Sequence, residues 1–384
     1  MATLAPHPQA VSTKSKVVYI DHLKVILTVL VILHHTFITY GAPGGWYYFQ
    51  KTTNEIVKIP MTLFVAVNQS FFMGFFFFLS AYFIPSSYDK KGQSRFIKDR
   101  LIRLGIPLVF YSFILGPFMN YLVYYFGKGH HITFMQYLSG YDDWIDFGVL
   151  WFAAALLLFN LLYVAWRLIA KQSEVKSGPP FTFRKIMFFA AILGFASFLV
   201  RLVFPIGWVL QPIGFQLAFF PQYIVLFIAG ILASKYNWLE GITYQMGRKG
   251  RGTAAILTSV LFTMFYVLLG LFKYPSSWFG GGFHLPAFLY AMWEQLTGLA
   301  IITALIGIGK QGLNNDSPLW RKLSRSTFAV YIFHPVVVIG VAIAVSGFNI
   351  EPAIKLLFVA PSVVMLAFLL GRLIVSIPGV NKIV

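Results

Sequence analysis

Long apolar stretches alternate with short polar segments along almost the whole chain. Ten of these stretches approach the roughly 20 residues that a helix needs to cross the hydrocarbon core of a bilayer. Because a backbone in lipid must satisfy its polar groups internally, the pattern predicts an all-α fold, a polytopic membrane helix bundle of about ten transmembrane helices. The predicted spans are residues 17–40, 60–84, 104–126, 147–170, 185–205, 213–234, 253–272, 287–309, 326–346 and 353–376.

The charges of the connecting segments predict the orientation of this bundle. Lysine and arginine gather in every second connection, on the side of the N-terminus, and residues 90–103 are the richest segment. The positive-inside rule therefore predicts an N-in, C-in topology, which leaves few basic residues, among them Arg201, on the outer side. We expect residues 1–16 to form a disordered cytoplasmic tail and residues 17–384 to form a single transmembrane domain.

Composition excludes several classes of function. Of the 384 residues, 58% are hydrophobic and 11% are charged, whereas soluble domains carry about 25% charged residues. The net charge of +18 does not indicate a nucleic-acid partner, because no soluble basic domain carries it. The chain has no cysteine, which excludes disulfides and a thiol nucleophile. Nucleotide-binding loops and HExxH are absent, so we expect no metal and no permanently bound cofactor.

A histidine pair near the outer end of the first span is the first candidate site. His35 lies eleven positions after Lys24, which places both on one helix face, about 16 Å apart, with His34 about 80° away from that face. A lysine at the inner mouth can neutralise a phosphorylated ligand, and a neutral imidazole can accept a proton from a hydroxyl group. The alternative is a juxtamembrane lysine and a histidine that bonds a neighbouring helix.

Two arginines open the third predicted span. Arg100 and Arg103 are three residues apart, so they lie on one side of a helix. Guanidinium groups near a helix N-terminus can bind the phosphates of a cofactor. The alternative is contact with lipid headgroups on the positive side of the membrane.

Other polar residues occur within the predicted spans, and each has a functional and a structural interpretation. Glu294 could orient His35 or bind an acceptor hydroxyl group, and Asn68 could stabilise an oxyanion. His334 could be a second proton-handling group, or a histidine bonded to backbone that Pro335 frees. Interhelical hydrogen bonding is the alternative for Glu294 and Asn68.

Aromatic residues follow the first span directly, in the segment that contains Trp46. Apolar rings with polar edges suit stacking against a sugar, and Trp46 is therefore a candidate substrate-binding residue. The same residues are typical of the aromatic belt at a membrane interface.

In order along the chain, these motifs resemble the integral membrane acyltransferase 3 family, in particular glucan-modifying members without an appended extracellular domain. The resemblance covers nearly all of residues 17–376, and Ala81 stands where the family usually has glycine. The matching positions are Asp21, Leu23, Lys24 and His35; Phe76–Phe83; Arg100, Arg103 and Pro107; Leu150–Phe152; and Tyr331, His334 and Pro335.

The resemblance implies an acyltransferase of the plasma membrane. It implies that an acyl group, acetyl or succinyl, moves from cytoplasmic acyl-CoA to a hydroxyl group of a glycan or related acceptor at the outer face. It further implies that His35 is the catalytic residue. Acyl-CoA is then a donor substrate rather than a resident cofactor.

A different class of function remains open at this point. Buried histidine and glutamate side chains could form the proton relay of a transporter or flippase for a polar or lipid-linked metabolite. Acyl transfer by pure protein and uptake of a labelled solute into liposomes distinguish the two.

Overall fold

The computed structural model describes residues 18–170 and 182–384, and within these ranges the chain is helical, with one isolated β-bridge between Leu210 and Phe215. Ten helices in this part are long and apolar enough to cross a membrane, which confirms the predicted number. The tail expected over residues 1–16 lies outside the described residues. The helices are α1 (Val18–Tyr40), α2 (Glu55–Lys91), α3 (Gln93–Gly127), α4 (Gly148–Ile169), α5 (Phe183–Arg201), α6 (Leu217–Tyr236), α7 (Tyr244–Leu271), α8 (Leu285–Gly312), α9 (Pro318–Ala344) and α10 (Pro352–Ser376).

Local sequence sets several of these boundaries. The side chains of Asn54, Thr182 and Thr243 accept hydrogen bonds from the first turns of α2, α5 and α7, which satisfies amide groups that lack an intrahelical partner. Gly92 adopts a φ of 73°, a left-handed conformation that glycine tolerates. It separates α2 from α3, so α3 begins well before the predicted residue 104.

Helix α1 lies at the centre of the bundle and packs against α2, α8, α9 and α10. At its start, the ring of His22 stacks on Trp320 at the start of α9, with centroids 4.4 Å apart, and Lys24 approaches Phe83 near the end of α2. We call this side the basic face, because it carries Lys24 and Arg100, and the side where α1 ends the far face.

Helix α2 is interrupted near its middle, at Ser70 and Phe71. The Ser70 carbonyl oxygen accepts a hydrogen bond of 2.6 Å from Nε2 of Gln222 in α6. Gly298 of α8 lies against the same carbonyl, and a Cβ at this position would overlap it. A glutamine and a glycine from two other helices thus stabilise the interruption, and the residues just before it, Asn68 and Gln69, face the interior.

Candidate functional site

A cavity of about 830 Å³ lies between the helices towards the far face. Residues 31–38 of α1 form one wall, and far-face loops around residues 43–45, 205–206 and 276–280 surround it. Residues from α2, α4, α6, α7, α8 and α9 complete the lining. The volume is within the range of small-molecule binding sites, about 300–1,000 Å³.

His35 lines this cavity and contacts two other rings, which also lie close to each other, with centroids 6.2 Å apart. Its ring stacks on Trp46 at a centroid distance of 4.0 Å and on His334 at 5.3 Å, with interplanar angles of 16° and 19°. Among the described residues, no hydrogen-bond partner reaches its Nδ1 atom. The structure therefore brings together three residues that the sequence singles out separately, and the Nδ1 atom of His35 is buried without a hydrogen-bond partner among the described residues.

The position of His334 follows from the proline after it. Pro335 lacks an amide hydrogen, so the carbonyl of Tyr331 loses its usual helical donor. Nδ1 of His334 donates to that carbonyl at 2.8 Å, because a carbonyl oxygen can only accept. This is the structural interpretation given for His334 above. Its Nε2 atom is buried and has no partner in the described residues.

Asn68 fixes His34, the neighbour of the candidate base. The Nδ2 atom of Asn68 contacts the Leu30 carbonyl and Nδ1 of His34, each at 3.2 Å. Since the carbonyl is an acceptor, the amide donates both hydrogens, and Nδ1 of His34 accepts one of them. Asn68 therefore has no amide hydrogen left for the oxyanion role that the sequence suggests for it, because both are used within the protein.

Glu294 pairs with Arg201 and not with His35. The NH2 atom of Arg201 donates to Oε2 of Glu294 at 2.5 Å, and the two side chains are 0% and 1% exposed. Nε2 of Gln295 also donates to Oε2 of Glu294, at 3.0 Å. Arg201 is the last residue of α5, at the far-face end of this helix. The sequence does not show that its side chain is buried in an ion pair, because its partner lies on another helix.

The three basic residues predicted to bind phosphate lie away from the cavity. Lys24 contacts Asp21 at 3.5 Å, and the guanidinium of Arg100 lies 4.8 Å from the ring centroid of Phe96. None of Lys24, Arg100 and Arg103 is among the residues that line the cavity. The arginines also lie inside α3 rather than at its N-terminus, because the polar segment after Gly92 is already helical. Any phosphate there would meet side chains, not free backbone amides.

Several cavity residues were not singled out by the sequence. Tyr223 and Tyr290 line the wall near the Arg201–Glu294 pair. Gln69 lines the same cavity, and the sequence had already placed it with Asn68 among the polar residues of the second span. Arg201 carried a detectable signal, since it is a lone arginine within the apolar run Phe198–Phe204. Tyrosine in an apolar span carries no comparable signal, because it is common at helix contacts.

No group of three or more histidine, aspartate or glutamate side chains among the described residues could hold a metal ion. A family model described as an acyltransferase domain matches residues 17–377. No curated protein and no solved structure matches the chain.

Proposed function

Because the chain belongs to the acyltransferase 3 family and is a multi-pass membrane acyltransferase, we propose that it moves an acyl group from acyl-CoA to a hydroxyl group. The acceptor is a glycan or a related compound that enters the far-face cavity, and the donor is held at the basic face. With the basic face in the cytoplasm, the protein would act on the outer surface of the plasma membrane.

His35 is the catalytic residue in this proposal. Its nitrogen accepts the proton of the acceptor hydroxyl group while the oxygen attacks the thioester carbonyl carbon. The carbon–sulfur bond then breaks, and the coenzyme A thiolate leaves with the proton from the imidazolium. The observation that carries this role is the placement of His35 on the cavity wall, in contact with the rings of Trp46 and His334.

The rings of Trp46 and His334 both contact the His35 ring, and this supports a positioning role for both. A stacked imidazole loses little orientation between turnovers, and a correct angle of approach is a large part of catalysis. Glu294, which was a candidate partner for His35, belongs with Arg201 instead and has no step in this reaction.

Lys24, Arg100 and Arg103 are proposed to hold the phosphates of coenzyme A. They share the basic face, and α1 carries Lys24 and His35 at a separation of about 16 Å along one helix. An extended pantetheine arm has a comparable length, so the acyl thioester can reach His35 while the phosphates stay at the basic face.

A transfer assay tests the role of His35. Purified protein is incubated with radiolabelled acyl-CoA and a glycan acceptor, and His35→Asn is compared with His130→Asn, which changes an exposed loop histidine. We expect His35→Asn to reduce transfer by about 100-fold or more and His130→Asn to leave it unchanged. Unimpaired transfer by His35→Asn would reject the proposal, and labelled-solute uptake into liposomes without transfer would indicate a transporter.

Coenzyme A binding tests the basic residues separately. The affinity of Arg100→Ala/Arg103→Ala is measured against ionic strength, with Arg248→Ala/Arg251→Ala as a control that removes two arginines with the same spacing from α7. We expect weaker binding and a smaller salt dependence only in the first variant, because salt screens the attraction between guanidinium and phosphate. Equal affinities would remove Arg100 and Arg103 from the donor site.

A further inference from the structure

The cavity next to His35 is lined mainly by apolar residues, with some uncharged polar groups among them. Its lining, as far as the structure describes the chain, contains no aspartate, glutamate, lysine or arginine. Its polar groups are the two histidines His34 and His35 together with hydroxyl and amide side chains. A carboxylate that entered this space would lose its hydration without meeting a counter-ion, which is strongly unfavourable.

Tyrosine hydroxyl groups line one wall of the cavity, and a hydrogen bond within the protein orients one of them. Nε2 of Gln69 donates to the hydroxyl oxygen of Tyr223 at 3.2 Å. Because the phenol oxygen is the acceptor in this bond, its hydrogen remains available to a ligand. Tyr290 lines the same cavity, and Trp151 stacks on Tyr223 with centroids 5.4 Å apart. Flat rings beside hydroxyl donors are suited to the apolar faces and hydroxyl edges of a sugar.

The buried ion pair of Arg201 and Glu294 lies behind this wall, and its two charges neutralise each other. The guanidinium carbon of Arg201 lies 5.3 Å from the ring centroid of Phe219 and 6.0 Å from that of Tyr290, and both rings line the cavity. Glu294 already compensates Arg201 at 2.5 Å. The pair therefore fixes the wall without offering a net charge to a ligand.

We propose that the cavity selects an uncharged, hydroxyl-bearing acceptor and an uncharged acyl group such as acetyl, and that Tyr223 and Tyr290 are specificity-determining residues that bind the acceptor hydroxyl groups. This inference rests on the proposed acyltransferase function. It excludes succinyl and other dicarboxylic acyl groups, because their free carboxylate has no cationic partner in the lining.

Transfer assays with charged and uncharged donors and acceptors test the proposal. Purified protein receives acetyl-CoA or succinyl-CoA with a neutral glucose oligosaccharide, and acetyl-CoA with an oligosaccharide that contains uronic acid. We expect kcat/KM to be at least about 100-fold higher for the uncharged donor and for the uncharged acceptor. Equal or better use of succinyl-CoA, or of the uronic acid acceptor, would overturn the proposed selection. Transfer from neither donor to any acceptor would instead reject the proposed function, and this inference with it.

Two conservative variants test the tyrosines. Tyr223→Phe and Tyr290→Phe each remove a hydroxyl group and keep the ring, and Tyr266→Phe, whose side chain is exposed on α7, is the control. We expect each cavity variant to raise the KM for the acceptor about five- to tenfold, the effect of one lost hydrogen bond. Equal melting temperatures and an equal affinity for coenzyme A in the two cavity variants and the control would show that the fold and the donor site are intact. An unchanged acceptor KM in both variants would overturn the role of the tyrosines.

A gain of function provides the complementary test. Ser277 is exposed on the far-face loop that borders the cavity, so Ser277→Arg adds a cation without disturbing the core. We expect this variant to reduce the preference for acetyl-CoA over succinyl-CoA, whereas Ser277→Gln should not. A preference that the added charge leaves unchanged would count against an electrostatic origin of the selection.

Discussion

The indole ring of Trp46 and the imidazole ring of His35 stack with their centroids 4.0 Å apart and their planes 16° apart. Trp46 follows α1 in a glycine-containing segment, so the chain turns back on itself to cover the histidine. Such a stack restricts rotation of the imidazole and shields it from the far-face solvent.

We expect Trp46→Ala to reduce acyl transfer about 10- to 100-fold, because a catalytic group that loses its orientation loses much of its effect. Trp46→Phe should retain more activity, since it keeps a stacking ring. Transfer rates of both variants are compared with Trp208→Ala, which alters a tryptophan of another far-face loop. Equal rates for Trp46→Ala and the unmodified protein would show that the stack has no influence on the reaction.

Breaking the buried Arg201–Glu294 pair should destabilise the bundle strongly. Glu294→Gln leaves an uncompensated guanidinium in the interior, which we expect to cost about 3–5 kcal/mol. In the double variant Arg201→Met/Glu294→Gln no charge is left, so most of the stability should return. The stability of all variants is measured by thermal unfolding in one detergent. The control is Glu55→Gln, which disrupts the exposed pair with Lys58. We expect it to change stability by less than about 1 kcal/mol. Additive losses in the double variant would contradict this prediction.

Glu351 should make stability depend on pH at the far face. The Thr52 hydroxyl donates to its carboxylate, and so do the backbone N–H groups of Ala353 and Ile354. These bonds, that of Thr52 foremost, lower the pKa of Glu351. A carboxyl whose pKa is lowered on folding contributes stability above its unfolded-state pKa and loses it as the pH falls through the folded-state value.

We therefore expect Glu351→Gln to lower the melting temperature at neutral pH, and the difference from the unmodified protein to close in acid, below the usual pKa of a glutamate. Melting temperatures measured across this range check the prediction. Thr52→Val should show a weaker form of the same behaviour, because it removes one of the three donors. A difference that persists in acid would mean that the ionised carboxylate is not its source.

Gly298 should tolerate no side chain. A methyl group there would overlap the Ser70 carbonyl at the interruption of α2, and overpacking of this kind costs about 1–3 kcal/mol or more. We expect Gly298→Ala to lower the melting temperature and to reduce transfer, because Asn68 and Gln69 would be displaced. Gly252→Ala on α7, where the space is open, should be neutral or slightly stabilising. A Gly298→Ala protein with unchanged stability and activity would contradict the role of this contact.

The sequence predicted the parts of the fold that depend on local composition. Ten apolar spans could be predicted from hydropathy, because each helix that crosses the bilayer must be apolar and must satisfy its own backbone hydrogen bonds. The candidate residues His35, Trp46 and His334 could be proposed individually from the sequence. Their contact could not be predicted, because it depends on how α1, α9 and the loop after α1 pack together. Arg201 and Glu294, far apart in sequence, could not be recognised as partners for the same reason. Helix α3 begins at Gln93, before the predicted span of residues 104–126, because polar residues continue the helix beyond the apolar segment.

The depth of His35 has a consequence for the direction of the reaction. The histidine lies five residues before the far end of a helix of 23 residues, so a donor anchored at the opposite surface must send its reactive end across most of the bilayer. Chemistry at that depth would be vectorial: the acyl group would be released on the side opposite to its carrier. Neither an ion gradient nor a separate carrier of activated groups would then be required, because the free energy of the thioester would drive both bond formation and export.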